Sequence, residues 1–227
     1  MPPPPVAVYA QSDVTLYRLD PLTSQITVVG DFQGCDSVID IALDKAGKLY
    51  GTTFGGLYAI DKNTAVCTLI ASGSYPNSLS FVPAGTIDPL KETLVGYLGD
   101  QYVKIDLVTG QVSTVGSLGN GYASSGDIVS VIGGGTYLTV NGNGCSDCLV
   151  QVSPTTGTFV KLIGALGHGS VYGLAYWGGI AYGFDAAGDL FRIDVVTGQT
   201  TPIVIPNPPP NMIFWGAGST TAAPTHL

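Results

Sequence analysis

The stretch LYRLDPLTSQITVVG, Leu16 to Gly30, reads as two short strands around a turn. Laid over the rest of the chain it returns as LYAIDKNTAVCTLI, YVKIDLVTGQVSTV, LVQVSPTTGTFVKL and LFRIDVVTGQTTPI, five copies in all. Their turn-starting residues, Asp20, Asp61, Asp106, Ser153 and Asp194, stand 41, 45, 47 and 41 residues apart. A period of that size built only from short strands is the signature of a propeller. In the D-x-x-T-G turn, the Asp or Ser side chain accepts bonds from backbone N–H groups, and Gly takes the left-handed conformation that closes the turn.

Each later copy follows two more strand-like runs: SVIDIALD and KLYGTTFG, NSLSFVP and TLVGYLG, DIVSVIG and TYLTVNG, VYGLAYW and GIAYGFD. That makes four strands per unit, A to D, with C and D forming the repeated hairpin. The chain ends check the count. Only VAVYAQS (residues 6–12) precedes the first hairpin, and a solitary MIFWGAG (residues 212–218) follows the last. The expected fold is therefore an all-β, five-bladed β-propeller of four antiparallel strands per blade. The C-terminal strand completes the N-terminal blade and removes an exposed edge. Residues 1–227 are read as one domain, with a Pro-rich N-terminal tail at 1–5 and a C-terminal tail at 222–227.

With LYRLD, LYAID and LFRID followed by TG, the chain resembles secreted bacterial β-propeller repeats of the LYxIDxxTGxxTxxG kind, loosely related to the YVTN and NHL propellers. The resemblance implies the fold rather than an activity, since those families include binding scaffolds, lectins and a minority of hydrolases or lyases. It also implies a secreted, periplasmic or cell-surface bacterial protein.

Charged residues are only 11% of the chain, and Gly reaches 32 of 227 residues, so many faces are expected to lie buried between layers. The net charge of −8 with eight Lys plus Arg removes the electrostatic term on which nucleic-acid and anionic-lipid binding depend. The start, MPPPPVAVYA, lacks a basic region followed by an apolar stretch, and no segment approaches about 18 continuous apolar residues. No signal peptide, membrane insertion or nucleic-acid partner is expected. The chain reads as a monomer that takes a small polar ligand, a glycan or a protein.

In a propeller the A strands line the central channel, and the D-to-A and B-to-C loops gather on one face. The segments entering the A strands carry Phe32, Tyr75, Tyr122 and His168, followed by Asp36, Asn77, Asp127 and Ser170, with Asn211 in the fifth. One reading is a ring of polar groups around the channel mouth with aromatic platforms outside it, suited to carbohydrate binding. A Ca²⁺ ion held by Asp36, Asp127 and Asn oxygens is a variant of it. The other reading makes the polar groups backbone caps and the rings inter-blade packing. Deeper in the channel the A strands present Asp40, Ser80, Ser130 and Gly173, and Asp40 is expected to be hydrated, paired or metal-bound.

CSDC, Cys145 to Cys148, falls between the B and C strands of one unit, with no following helix and no second C-x-x-C, and reads as a loop-stapling disulfide. Cys67 aligns with core positions and Cys35 reads as a free thiol. Hydrolytic machinery is sparse. The only histidines are His168 and His226, and Glu92 is the sole glutamate. The function expected is non-enzymatic binding on the loop face. The alternatives are a metal-assisted hydrolase or lyase built on Asp36, Asp127 and His168, and a structural module of a larger assembly.

Overall fold

A computed structural model describes residues 8–226. MPPPP and the first two residues of VAVYAQS lie outside them. The described residues form strands and loops only, with no helix long and apolar enough to cross a membrane.

Twenty strands make five four-stranded antiparallel sheets. Blade 1 holds β1 (Val8–Gln11), β2 (Thr15–Asp20) and β3 (Gln25–Asp31), with β20 (Gly216–Ser219) as its inner strand. Blade 2 runs outward through β4 (Val38–Leu43), β5 (Leu49–Thr53), β6 (Gly56–Ile60) and β7 (Cys67–Ser72). Blade 3 is β8 (Leu79–Val82), β9 (Thr93–Leu98), β10 (Gln101–Ile105) and β11 (Val112–Ser117). Blade 4 is β12 (Tyr122–Val131), β13 (Gly135–Gly142), β14 (Cys145–Val152) and β15 (Phe159–Ala165). Blade 5 is β16 (Val171–Trp177), β17 (Ile180–Asp185), β18 (Leu190–Ile193) and β19 (Thr200–Pro202). The fold expected from the repeat is the fold found.

The repeated turn works as its chemistry requires. Asp106 Oδ1 accepts from the N–H groups of Val108 and Thr109 at 2.9 and 2.8 Å, and Asp194 Oδ1 from Val196 and Thr197 at 2.8 and 2.9 Å. Gly110, Gly157 and Gly198 sit at φ 71°, 69° and 74°, where their N–H groups bond back to Asp106, Ser153 and Asp194. Gly157 has a second constraint, because a Cβ there would strike the ring of Tyr102 in the preceding blade.

Ring closure is corrected in detail. The last strand is GAGS, four residues beyond the start of the apolar run MIFW. Phe214 of that run drops into the core and meets Tyr17 and Phe184 edge-on at 6.0 and 5.1 Å. Inner strands approach too closely for large side chains. A Cβ on Gly216 would strike the Asp40 carboxylate and the Gln11 amide, and one on Gly218 the carbonyl of Ile41.

The chain continues past β20 and crosses the channel mouth on the side of the A–B loops. Thr220 Oγ1 donates to the Asp44 carbonyl at 2.9 Å, and Thr221 Oγ1 bonds the Glu92 carboxylate. The Thr221 carbonyl accepts from Ile132 N–H at 2.9 Å, and the Pro224 carbonyl from Gly178 N–H at 2.7 Å. These partners lie on the A–B connections of blades 2 to 5, so the terminal segment joins every blade outside its own. Thr221 is fully buried.

Candidate functional site

Two places bring chemistry-bearing groups together, one on the axis and one on the face of the D–A and B–C loops. On the axis, register shifts in the A–B pairings of blades 2 and 4 fall next to Asp40 and Asp127. Such bulges re-aim side chains. Asp40 accepts from the N–H groups of Ile41 (2.8 Å) and, across the blade boundary, Leu79 (2.6 Å). Asp127 does the same with Ile128 and Leu174, both at 2.6 Å. Each carboxyl therefore clamps the inner strand of the next blade.

The two carboxyls also bond each other within a fully buried site. Burial raises both well above the ordinary carboxylate range. The charge of Asp127 raises Asp40 further, whereas the bonds to Asp40 and to backbone amides pull Asp127 back. Two buried carboxyls in contact cannot both be ionised cheaply, so they hold a proton between them and titrate as a pair.

Ser80, Ser130 and Ser219 on the inner strands are paired within the protein, whereas the hydroxyls of Ser124 and Ser125 on β12 and the indole N–H of Trp177 on β16 are buried without a hydrogen-bond partner. Ser80 Oγ accepts from Ser130 N–H at 3.1 Å, Ser130 Oγ bonds Thr136 Oγ1 at 2.7 Å, and Ser219 Oγ accepts from Tyr176 N–H at 2.9 Å. The first and third of these bonds link inner strands of neighbouring blades, and the second ties the inner strand of blade 4 to the strand outside it.

The aromatic ring expected at the mouth is not a ring of exposed platforms. Tyr75 is buried and its hydroxyl donates to the Gly110 carbonyl at 3.0 Å, capping the repeated turn of the next blade. Tyr122 is buried and stacked on Phe159 at 5.4 Å. Phe32 is half-buried and packs against the core cluster that includes Leu16, Val38, Ala65 and Cys67. The C–D hairpins of blades 2 to 5 lie against the preceding D–A loop, through Val66 on Gln33, Gly110 on Tyr75, Phe159 on Leu118 and Thr200 on Leu166. Asp36, Asn77 and Asn211 are exposed, and Ser170 is half-buried. Asp127 belongs to the axial pair, so the arrangement of Asp36, Asp127 and His168 expected for a hydrolase does not form around it.

His168 has different partners. Its Nδ1 lies 3.1 Å from Asp185 Oδ2, and its ring stacks on Phe191 with centroids 3.7 Å apart and planes 9° from parallel. Asp185 closes the B–C turn of blade 5, its Oδ1 accepting from the N–H groups of Ala187 and Asp189, both at 3.0 Å. The loop carrying His168 hangs from Asp147, which accepts from Ser170 N–H at 2.8 Å on its carboxylate and from Leu166 N–H at 3.2 Å on its carbonyl. Asp147 lies inside the CSDC hairpin, where Cys145 and Cys148 are joined as a disulfide. Asp147, Asp185 and Asp189 are additions to the residues expected from the sequence. The visible signal was DAAGD, the only B–C connection flanked by two acids.

Cys35 is not free. It is bonded to Cys67 across 32 residues and ties the first D–A crossing to the outer strand of blade 2. The parallel bridge Gln33↔Val66 already brings these segments together. Two disulfides are the mark of an oxidising, extracytoplasmic environment.

Charge is divided unevenly between the faces. Lys45, Lys48, Lys62 and Lys91 all lie on A–B or C–D connections. The D–A and B–C connections carry Asp13, Asp36, Asp100 and Asp189, are flanked by Asp31 and Asp185, and contain no Lys or Arg. Two grooves, of 390 and 620 Å³, lie on the lysine-bearing side, against the turns containing Asp106 and Asp61.

No protein-family model matches the chain, and no curated protein sequence does. Its fold is that of a five-bladed β-propeller, and solved structures resemble it. A chain of the nidogen/laminin complex is similar at 12% identity, with 98% of this chain and 82% of that one covered and a TM-score of 0.58. A protein of unknown function from Bacteroides caccae is similar at 12% identity, covering 92% and 76%, with a TM-score of 0.49. The hydrazine synthase of Kuenenia stuttgartiensis is similar at 12% identity, covering 94% and 66%, with a TM-score of 0.48. At 12% identity the likeness to the nidogen/laminin chain is one of fold.

Proposed function

We propose that this propeller is a non-enzymatic, extracellular or periplasmic binding module that engages a positively charged protein surface through its D–A and B–C loop face. The observation that carries the reading is the division of charge: that face has exposed Asp36, Asp100 and Asp189 and no Lys or Arg on its connections. A one-signed surface steers an oppositely charged partner and rejects like-charged ones. The opposite mouth is crossed by the C-terminal segment, and Asp40, Asp127, Ser80, Ser130 and Ser219 on the inner strands are engaged by the chain's own hydrogen bonds. Binding on a loop face therefore fits the architecture better than passage or catalysis within the channel. With Tyr75 and Tyr122 buried, stacking of a glycan has less support than contact with a protein. The nidogen/laminin complex, similar in fold, is itself a protein–protein assembly.

The test is retention of a Lys/Arg-rich model peptide and of a neutral glycan on the immobilised protein. Peptide retention should weaken with salt and in the D36N/D100N variant, while K45A/K91A on the other side leaves it unchanged. Equal retention by both variants, or a preference for the glycan, refutes the reading.

A further inference from the structure

We propose that His168, Asp185 and Asp189 form a binding site for one divalent transition-metal ion, Zn²⁺ first among them. One nitrogen and two carboxylate oxygens, one from each residue, lie within 4.8 Å of one another. Ligand atoms held about 2.0–2.2 Å from a common ion stand about 3–3.5 Å apart. The 3.1 Å between His168 Nδ1 and Asp185 Oδ2 already has that spacing.

The site is built rather than accumulated. Asp185 is 3% exposed, and its Oδ1 is taken by two backbone N–H groups, which leaves Oδ2 facing the imidazole. One of those N–H groups belongs to Asp189, so the turn that aims one ligand also fixes the backbone of another. The imidazole plane is held flat on Phe191, and the loop on either side of it is held by Asp147. Supporting contacts of this kind orient metal ligands and set their affinity.

Donor chemistry selects the ion. A nitrogen with two monodentate carboxylates suits Zn²⁺ or Mn²⁺, with Zn²⁺ the tighter by the usual order of affinities, whereas Ca²⁺ takes six to eight oxygen ligands. Asp189 is exposed, so the coordination positions left by three protein ligands open to solvent. Water, or a carboxylate of an incoming ligand, completes the sphere there. This assignment goes beyond the partner reading and does not depend on it. A chain that fails to bind Zn²⁺ can still retain the basic peptide, and the converse also holds.

The experiment is calorimetric titration of Zn²⁺ into the tag-free, chelator-stripped protein at about pH 7.5, with melts in parallel. One ion per chain should bind. At about a hundredfold excess over the dissociation constant the melting temperature should rise by roughly 5 °C or more. Asp189→Asn, whose side chain is exposed, should leave the metal-free melt unchanged and weaken binding tenfold or more. His168→Ala should weaken it as much. Absence of binding, or binding equally tight in both variants, overturns the site. A melting shift with Ca²⁺ as large as that with Zn²⁺ overturns the choice of ion.

Discussion

The proton held between Asp40 and Asp127 makes the stability of the ring fall as pH rises. In the unfolded chain both carboxyls ionise near pH 4. In the folded chain burial raises both carboxyls well above that, and the charge of Asp127 raises Asp40 further. Between the unfolded and folded values the native state therefore binds more protons than the unfolded one, and stability declines with pH. One retained proton corresponds to about 1.4 kcal/mol per pH unit. For a chain of this size about 1 kcal/mol moves the melting temperature by roughly 2–4 °C, so the slope is roughly 3–5 °C per pH unit. It begins above about pH 4 and levels off once the pair has lost the proton. The assay is a series of thermal melts from about pH 5 to pH 8 on the native protein and on Asp40→Asn. The variant removes one of the two charges, and its amide can donate to Asp127. It also loses one acceptor for the N–H groups of Ile41 and Leu79, at about 1–3 kcal/mol. The variant should therefore be the less stable at low pH and close on the native protein as pH rises. A native protein with no decline, or a variant with the same slope, would refute the shared proton.

Truncation before Gly216 removes the inner strand of blade 1 and should give an unfolded or aggregating chain, read by light scattering. Glu92→Ala, which releases Thr221 of the terminal segment and the Lys45 N–H from the A–B connection of blade 3, should lower stability by about 1–3 kcal/mol in a urea melt. Tyr122→Ala should cost about 3–5 kcal/mol as a core deletion, and an unchanged melting temperature would return this ring to the surface. Without reductant, thiol labelling should find no reactive cysteine. Removing Cys35–Cys67, which spans 32 residues, should cost about 4 kcal/mol, against about 2 for Cys145–Cys148, which spans 3.

The amino-acid sequence alone determined the blade count, the strand order, the repeated turn, the stapled CSDC hairpin and the sharing of one blade between the termini. Each depends on interactions within a few residues or on a period the chain repeats: Asp and Gly in the turn, alternation along a strand, two vacancies that match. Only the tertiary structure decided what those blades place together. Asp40 and Asp127 belong to blades that are not neighbours, and they meet because ring closure brings both inner strands to one axis and a bulge beside each turns its side chain inward. Tyr75 and Tyr122 resembled mouth platforms because their loops do reach that face, yet the turn of the following blade caps Tyr75 and Phe159 of the outer strand stacks on Tyr122. Cys35 found Cys67 across the first blade boundary, and the terminal residues became a cross-brace, through contacts absent from any single repeat. His168 acquired Asp185 and Asp189 in the same way. A repeat encodes the unit locally, whereas the sites lie at seams between units, where twist and closure select the facing side chains.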